Sequence, residues 1–309
     1  MKDCIKVLVR DQEVRDQEVR DNKSLTKGLT KGIHKKKINK SKVNYTKKAL
    51  VIGINYRGTK SQLSGCINDA NKMVNYLITK CGFKESDIIM LSDHVGARHS
   101  QLPTKANIIR NINWLTSNIH ANDDCQLVFH YSGHGSNTAD QNKDEVDGRD
   151  ETICPVDYPL HGDIIDDDLK MMLVDSLPSN AKLFCLMDCC HSGTGLDLRY
   201  GCRVYNNKNS LTYSLTENKR DTKSKGEVIL FSGCRDNQYS ADAYIKRKYQ
   251  GAMTWAFFEI LSRHHYAPVK LSDLITEIRD LLVKHDYDQI PQLSSGRMIN
   301  LNETFCLTD

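Results

Sequence analysis

Two short segments of this sequence combine histidine, cysteine and glycine in an order suited to thiol chemistry. His134 stands between Gly133 and Gly135 directly after an apolar run, and Cys190 follows a second apolar run that ends at Asp188. Glycine lets the backbone approach a ligand closely, and an imidazole can accept the proton of a thiol, whose thiolate is the nucleophile. The pattern predicts a Cys–His pair for nucleophilic catalysis, distant in sequence and close in space. The backbone amides of Gly135 and Cys190 would then hold the developing oxyanion.

Simpler interpretations apply to most of the other cysteines and histidines. A buried cysteine usually acts as a small core hydrophobe, and six cysteines are assigned to that class, with Cys66 also a candidate for lining a pocket: Cys66, Cys81, Cys125, Cys154, Cys185 and Cys234. Cys189 and Cys190 are adjacent, so in an extended segment one points inward and the other outward. A zinc site made from His130, His134, Cys189 and Cys190 lacks any CxxC or HExxH spacing and is set aside.

Apolar periodicity predicts the elements that must position these residues. Strands are expected at 49–54, 87–91, 125–131, 182–187 and 227–232, and helices at 66–81, 104–119, 167–177, 251–264 and 271–285. Thr104 is expected to cap the second of these helices. Strands that alternate with helices indicate an α/β fold, in which a mainly parallel sheet has helices on both faces. In such sheets the ligand site lies at the carboxyl ends of the strands, where His134 and Cys190 stand.

Charge and repeats divide the chain into a head and a body. Residues 1–48 carry 15 Lys and Arg against 6 Asp and Glu, whereas the remainder carries 28 against 33. Residues 1–47 also contain short polar repeats, and they are predicted to form a flexible basic segment. The body, residues 48–309, is predicted to comprise a first part (48–198), an exposed linker (199–226) and a second part (227–309). Its mild acidity argues against a specific nucleic-acid partner, while binding of the head to nucleic acid or anionic lipid stays open.

Cysteine usage and hydropathy indicate an intracellular protein. The 11 cysteines are odd in number and show no framework spacing, which is typical of reduced thiols in the cytoplasm. No apolar run approaches the roughly 18 residues that span a bilayer. The apolar stretch at residues 4–9 is too short for a secretory signal.

The two segments resemble the signature pair of metacaspases, which are caspase-like cysteine peptidases. Tyr-Ser-Gly-His-Gly (131–135) and Asp-Cys-Cys-His-Ser-Gly (188–193) carry the resemblance, and further similar blocks follow in the family's order at 53–56, 65–70, 155–157, 232–238, 240–243 and 291–294. The short linker and the N-terminal segment resemble type I, although this head is Lys-rich rather than Pro/Gln-rich. The resemblance implies a caspase-like fold, His134 as general base, Cys190 as nucleophile, and a monomer.

Two carboxylates near the predicted strand ends bear on substrate choice. Asp69 and Asp188 would attract a Lys or Arg side chain, and the resemblance adds Cys66 and Ser132 to the lining of that pocket. The implied partners are proteins or peptides with Arg or Lys before the scissile bond. Alternatively, Asp69 merely favours a helix N-terminus. A non-catalytic scaffold protein and a peptidase that cuts after Asp are the competing functions; the intact dyad and the acidic pocket argue against them.

The resemblance also implies a calcium cofactor. Its ligands would be four acids, Asp150, Asp166, Asp167 and Asp197, whose oxygens suit a hard cation. The alternative is that these are ordinary loop acids, with residues 166–168 favouring a helix N-terminus. Self-processing is expected as well, because the exposed linker carries basic residues at Lys208, Lys219, Arg220, Lys223 and Lys225, and exposed segments are preferred sites of nicking.

Overall fold

The computed structural model describes residues 45–119, 124–139, 148–189, 195–207, 210–234, 242–245 and 248–307. The described residues all belong to one compact unit, which begins at Val43. The predicted nucleophile Cys190, its neighbour His191 and residues 1–44 of the basic head lie outside them. No helix among the described residues is long and apolar enough to cross a membrane.

The strands, in chain order, are β1 (Tyr45–Gly53), β2 (Ile88–Ser92), β3 (Asp124–Ser132), β4 (Gly135–Ala139), β5 (Arg149–Ile153), β6 (Ile164–Ile165), β7 (Ala181–Asp188), β8 (Tyr200–Asn207), β9 (Ser210–Glu217), β10 (Glu227–Ser232), β11 (Asp242–Ile245), β12 (Lys248–Gly251), β13 (Val269–Lys270), β14 (Gln292–Ser295) and β15 (Thr304–Phe305). The helices are α1 (Cys66–Thr79), α2 (Lys105–Thr116), α3 (Tyr158–His161), α4 (Asp166–Lys170), α5 (Ala252–Arg263) and α6 (Leu271–Lys284). A π-helical turn (Met171–Asp175) continues α4, and 3-10 turns occupy Glu85–Asp87 and His99–Gln101.

Eight of these strands form one central sheet in the order β2-β1-β3-β7-β10-β14-β8-β9. The first five pair in parallel, whereas β14, β8 and β9 add antiparallel pairs at one side. Smaller sheets are formed by β4-β5-β6, β11-β12 and β13-β15. The predicted α/β class with a mainly parallel sheet is confirmed.

Alternate residues of the five parallel strands enter different hydrophobic clusters. In β3, Val128 belongs to a cluster with α1, α5 and α6, and its neighbours Leu127 and Phe129 belong to a cluster with α2 and α4. Successive side chains of a strand point to opposite faces, so the two clusters cover the two faces of the sheet. This burial of both faces explains the continuous apolar runs in the sequence.

Helix ends follow the sequence signals. The Thr104 hydroxyl accepts a hydrogen bond from the Asn107 amide at 3.2 Å and caps α2, as predicted. Gly82 follows α1 with a φ of +68°, a left-handed conformation that glycine adopts without strain.

Two stretches differ from the sequence-based expectation. Residues 199–226, predicted as an exposed linker, contain the β8–β9 hairpin, which joins the sheet through β14. The alternation of Leu211, Tyr213 and Leu215 with Thr and Ser is the strand signal that the charges on either side obscured. In addition, β1 starts at Tyr45, within the predicted head. Lys47 is compatible with the sheet because its ammonium reaches the Cys81 carbonyl at 2.5 Å while its alkyl chain is buried.

Close packing of α1 on the end of β1 depends on Gly53. A Cβ atom at this position would lie 2.4 Å from the Cys66 carbonyl oxygen and 2.8 Å from the Ala70 Cβ. These distances are too short for any real contact, and the first obstacle is backbone, which cannot rotate away. Gly53 therefore fixes how closely the start of α1 approaches the strand ends.

We expect Gly53→Ala to displace the start of α1 and to lower the free energy of unfolding by about 1–3 kcal/mol, as overpacking typically does. Urea denaturation measures this. The matched control is Gly201→Ala in β8, where the nearest atom to a new Cβ is the Thr216 hydroxyl oxygen at 3.5 Å. Equal stability of the two variants would contradict the packing argument.

Candidate active site

The register of three parallel strands brings their last residues into one row. Gly53 of β1 pairs with Ser132 of β3, and Ser132 pairs with Asp188 of β7. His134 follows Ser132 by two residues, and Cys190 follows Asp188 by two residues in the sequence. The two segments that carry the predicted dyad therefore leave neighbouring, paired strands at the carboxyl edge of the sheet, where ligands bind in such folds.

The imidazole of His134 has a defined hydrogen-bond partner. Its Nε2 lies 2.7 Å from the Ser61 carbonyl oxygen. A carbonyl oxygen only accepts, so Nε2 carries the hydrogen, and in the neutral ring Nδ1 is the basic nitrogen. Ser61 was not predicted from the sequence, because a backbone carbonyl leaves no residue-type signal. The contact leaves Nδ1 as the atom that can accept a thiol proton.

The main chain of His134 is held at both of its polar groups. Its carbonyl oxygen accepts hydrogen bonds from the Tyr131 hydroxyl at 2.7 Å and from the Cys154 amide at 3.1 Å. Its amide donates to the Tyr56 hydroxyl at 2.9 Å. The next residue, Gly135, opens β4, which pairs with β5. The predicted base thus stands on a short, fully bonded turn between two strands.

The predicted acidic pocket is a contiguous group of buried side chains. Ser132 donates from its hydroxyl to Asp69 Oδ2 at 2.9 Å, and the Gly251 amide donates to the same oxygen at 2.8 Å. Asp188 Oδ2 accepts from the Thr254 amide at 2.7 Å. Both carboxyl groups are buried, with residue exposures of 0% for Asp69 and 4% for Asp188. The five residues come from α1, β3, β7, the end of β12 and the start of α5.

The carboxyl groups of Asp69 and Asp188 both lie close to the backbone of Gly251. A Cβ atom there would lie 2.2 Å from Asp188 Oδ2 and 3.0 Å from Asp69 Oδ2. The amides of Gly251 and Thr254 belong to the N-terminus of α5, whose dipole favours negative charge. Gly251 and Thr254 were not predicted from the sequence, because their residue types do not indicate that the N-terminus of α5 lies against Asp69 and Asp188.

Electrostatics in the pocket disfavour two simultaneous negative charges. Burial, followed by the nearby Asp188 carboxylate, raises the pKa of Asp69 well above its ordinary value. Asp69 Oδ1 is buried and has no hydrogen-bond partner among the described residues. A cation entering the pocket would favour ionisation of Asp69 and could pair with that oxygen.

The cysteines sort largely as predicted. All six assigned to the core are buried. Cys66 is the first residue of α1, and its carbonyl lies beside Gly53 at the end of β1. Cys189 is 2% exposed and belongs to the cluster on the α2 face. His130 lies two residues after Val128 in β3 and therefore shares its face, the one covered by α1, α5 and α6. Cys189 and His130 thus lie on opposite faces of the sheet, which excludes a shared zinc site for these two residues. Burial lowers the pKa of His130 to about 3, so it is a neutral core histidine.

The four predicted calcium ligands are only partly brought together. Asp150, Asp166 and Asp197 are buried, and Asp166 is close to β5 because its Oδ2 accepts from the Glu151 amide at 2.8 Å. Its Oδ1 accepts from the Asp167 amide at 2.9 Å. These oxygen donors suit calcium. Nevertheless, the described residues contain no group of three or more His, Cys, Asp or Glu arranged to hold a metal.

A lysine lies between this acidic region and Asp221. Lys170 of α4 pairs with Asp221 at 2.9 Å. Burial alone would lower the pKa of Lys170, but its hydrogen bond to Asp221 and the charge of Asp197 raise it above the ordinary value. Asp197 is therefore close enough to Lys170 for the lysine to balance part of the negative charge of Asp197 without a metal ion.

Comparison with solved structures identifies the class of fold. A protein of Geobacter sulfurreducens superposes with a TM-score of 0.60 at 23% identity, covering 85% of this chain and 98% of that one. The structure titled pro-sf-caspase-1 superposes with a TM-score of 0.50 at 13% identity, covering 86% and 92%. The fold is caspase-like, as expected.

Sequence comparison identifies the family. The model of the metacaspase, peptidase C14 domain matches residues 47–199. Metacaspase-1 of Candida glabrata is 38% identical, with 86% of this chain and 77% of the relative covered. Metacaspase-1 of Cryptococcus neoformans is 38% identical over 84% of this chain, which spans 64% of that relative's length. The chain belongs to the metacaspase family of cysteine peptidases.

We expect Asp69→Asn to raise the melting temperature at neutral pH. The folded protein keeps a proton on Asp69 to a higher pH than the unfolded chain does, because its pKa is raised. Rising pH above the usual aspartate range, about 3.9, therefore favours unfolding, and the loss continues up to the raised pKa. Asparagine does not titrate, and its carbonyl oxygen can still accept from Ser132 and Gly251.

Thermal melts at a series of pH values test this expectation. The advantage of Asp69→Asn should be largest at about pH 8 and should shrink toward about pH 3, below the pKa of about 3.9 in the unfolded chain, where wild-type Asp69 is mostly protonated in both states. Asp273→Asn, at an exposed acid in the first turn of α6, is the control. A lower melting temperature for Asp69→Asn at pH 8 would refute the inferred cost of burying this carboxyl group.

Proposed function

We propose that this protein is a cysteine endopeptidase in which His134 is the general base and Cys190 the nucleophile. The observation that carries the proposal is the Nε2–Ser61 hydrogen bond, since it leaves Nδ1 of a strand-end histidine free to act as a base beside a buried acidic pocket. Family membership and the Asp-Cys-Cys-His order at 188–191 support Cys190 as the thiol.

The reaction follows the usual course of a thiol peptidase. Nδ1 of His134 takes the Cys190 proton, and the thiolate attacks the carbonyl carbon of the scissile bond. The amides of Gly135 and Cys190 are the donors proposed to stabilise the oxyanion. The imidazolium then protonates the leaving amine, and water hydrolyses the thioester with His134 as base. The Ser61 carbonyl holds the ring in one orientation throughout.

The proposed specificity is for Arg or Lys before the scissile bond. Asp69 and Asp188 supply the negative charge, Ser132 orients Asp69, and Cys66 borders the same edge of β1. The unpartnered Oδ1 of Asp69 is an acceptor available to a cationic side chain. A pocket with this charge repels an Asp side chain, which is why cleavage after Asp is disfavoured.

Calcium activation and self-processing complete the proposal. Asp150, Asp166, Asp167 and Asp197 would hold the ion, which supplies positive charge to a region of buried carboxylates. The support for this choice is that Asp150, Asp166 and Asp197 are all buried and that the charge of Asp197 acts on Lys170 of α4. Self-processing would use basic residues after β9: the stretch that contains Lys219, Arg220, Lys223 and Lys225 includes exposed side chains, and Lys208 lies outside the described residues.

We expect hydrolysis of fluorogenic peptides ending in Arg or Lys and little hydrolysis of the matching Asp peptide. Cys190→Ala and His134→Ala should each abolish activity, and the double variant should be little worse, because the two residues act as one unit. Asp69→Asn should lower kcat/KM for the Arg peptide by about 30-fold or more, since removing one charge of a buried pair costs about 2–5 kcal/mol. Asp273→Asn is the matched control.

Three outcomes would contradict this set. Activity that survives in Cys190→Ala but not in Cys189→Ala would move the nucleophile by one residue. Efficient cleavage after Asp would refute the pocket assignment. Failure of the wild type to hydrolyse any of the peptides, with and without calcium, would favour a non-catalytic binding protein.

We expect EDTA to silence the wild type and calcium to restore both peptide hydrolysis and self-cleavage. Asp166→Asn and Asp197→Asn should stay folded and inactive, while magnesium substitutes poorly because it requires a smaller, stricter octahedron. Gel electrophoresis of wild type and Cys190→Ala, each incubated with calcium, reports self-cleavage. Full activity in EDTA would exclude the calcium requirement, and identical intact bands would exclude self-processing under those conditions.

A further inference from the structure

We propose that Tyr56 is a positioning residue that sets the orientation of the His134 imidazole from two sides. The inference rests on the proposed function only in taking His134 as the base. Tyr56 follows β1 directly in the order Gly-Ile-Asn-Tyr, and its side chain is completely buried. The sequence shows the motif but gives the tyrosine no role.

The side chain touches His134 through both its ring and its hydroxyl. The two ring centroids lie 4.6 Å apart with the planes inclined by 38°. The Tyr56 hydroxyl accepts from the His134 amide at 2.9 Å and donates to the Cys154 carbonyl at 2.6 Å. One residue therefore fixes the plane of the imidazole and the backbone from which it extends.

The backbone of Tyr56 directs the loop that reaches the other side of the imidazole. The Tyr56 carbonyl accepts from the Thr59 amide at 3.2 Å and from the Thr59 hydroxyl at 2.7 Å. That hydroxyl oxygen accepts in turn from the Ser61 amide at 3.2 Å. This short series of bonds shapes the loop that presents the Ser61 carbonyl to Nε2 of His134.

The backbone conformation of Tyr56 is strained, and hydrogen bonds to Asp93 hold it. Its φ is +50°, a left-handed value that is strained for a bulky residue and costs about 1–3 kcal/mol. Asp93, which follows β2, accepts from the amides on either side of Tyr56: from Asn55 at 2.8 Å and from Arg57 at 3.1 Å. A strained residue clamped by a buried carboxylate and touching a catalytic base indicates function rather than stability.

The surroundings keep the Tyr56 hydroxyl protonated and hydrogen-bonded. Burial raises the pKa of Tyr56 and of its neighbour Tyr131 well above their ordinary values, so both remain protonated donors at any working pH. The two hydroxyl oxygens lie 3.1 Å apart. Gly133 lacks a side chain where a Cβ would meet them, at 2.8 Å from Tyr131 and 3.0 Å from Tyr56. The glycine before His134 thus makes room for this pair.

The test compares Tyr56→Phe, which keeps the ring and loses the hydroxyl, with Tyr56→Leu, which loses both. Tyr158→Phe is the control, because Tyr158 meets the Tyr56 ring edge-on at 6.2 Å and contributes nothing to the hydrogen bonds just described. Full-length variants are assayed on the Arg peptide. In parallel, ¹⁵N NMR of the same variants in a Cys190→Ala background reports the His134 tautomer, with the resonance assigned by its loss in His134→Ala.

We expect kcat to fall about 10-fold in Tyr56→Phe and about 100-fold in Tyr56→Leu, the scale of loss that follows a misplacement of about 1 Å. KM should stay unchanged, since the acidic pocket is untouched. The wild-type spectrum should show a single Nε2–H tautomer, whereas both Tyr56 variants should show two tautomers in exchange, with less of the second one in Tyr56→Phe than in Tyr56→Leu. Tyr158→Phe should match the wild type in both measurements.

Wild-type kcat in both Tyr56 variants would overturn the proposal. A loss of activity with an unchanged tautomer would also overturn it, because the residue would then serve stability alone. If Tyr56→Leu does not fold, Tyr56→Phe decides through its kcat and its tautomer. An inactive wild type would count against the proposed function, and the tautomer comparison would still decide whether Tyr56 orients His134.

Discussion

The parallel pairing of β1, β3 and β7 is the constraint on which the site depends. It places Gly53, Ser132 and Asp188 in one row at the carboxyl edge of the sheet. A slip of one residue would turn every side chain of the slipped strand to the other face. Ser132 would then leave Asp69, and Asp188 would leave the N-terminus of α5. Burial of both sheet faces fixes the register, so the hydrophobic clusters determine the geometry of the polar site.

The site itself works against stability. A carboxyl group that is fully buried beside another acid, and a tyrosine with a left-handed backbone, both raise the free energy of the folded state. Local compensation is visible for each of them. Ser132 and Gly251 donate to Asp69, and Asp93 accepts from both amides around Tyr56. Such groups persist only where the rest of the fold is stable enough to hold them.

The sequence predicted the five parallel strands of the central sheet, five of the helices and the family resemblance, because these depend on periodicity and residue type. It did not predict β14 or the strands of the smaller sheets. Glu227–Ser232 was predicted with its final bounds, and Thr104 was predicted as a cap. Hydrogen bonds made by backbone groups could not be predicted from the sequence. The Ser61 carbonyl and the amides of Gly251 and Thr254 form such bonds, which do not depend on the type of side chain. The β8–β9 hairpin was missed for a different reason: flanking Lys and Asn residues masked a short alternating pattern.

The proposed acidic pocket and the proposed base depend on the same strand end. Ser132 contacts Asp69, and two residues later the chain presents His134, whose ring is held by the loop that leaves β1. The start of α1, which carries Asp69, is set against the same end of β1 by the absence of a side chain at Gly53. A displacement of the end of β1 and the start of α1 would move both the acidic pocket and His134. Changes confined to Tyr56 act on the base alone, because the hydrogen bonds of the pocket come from Ser132 and α5.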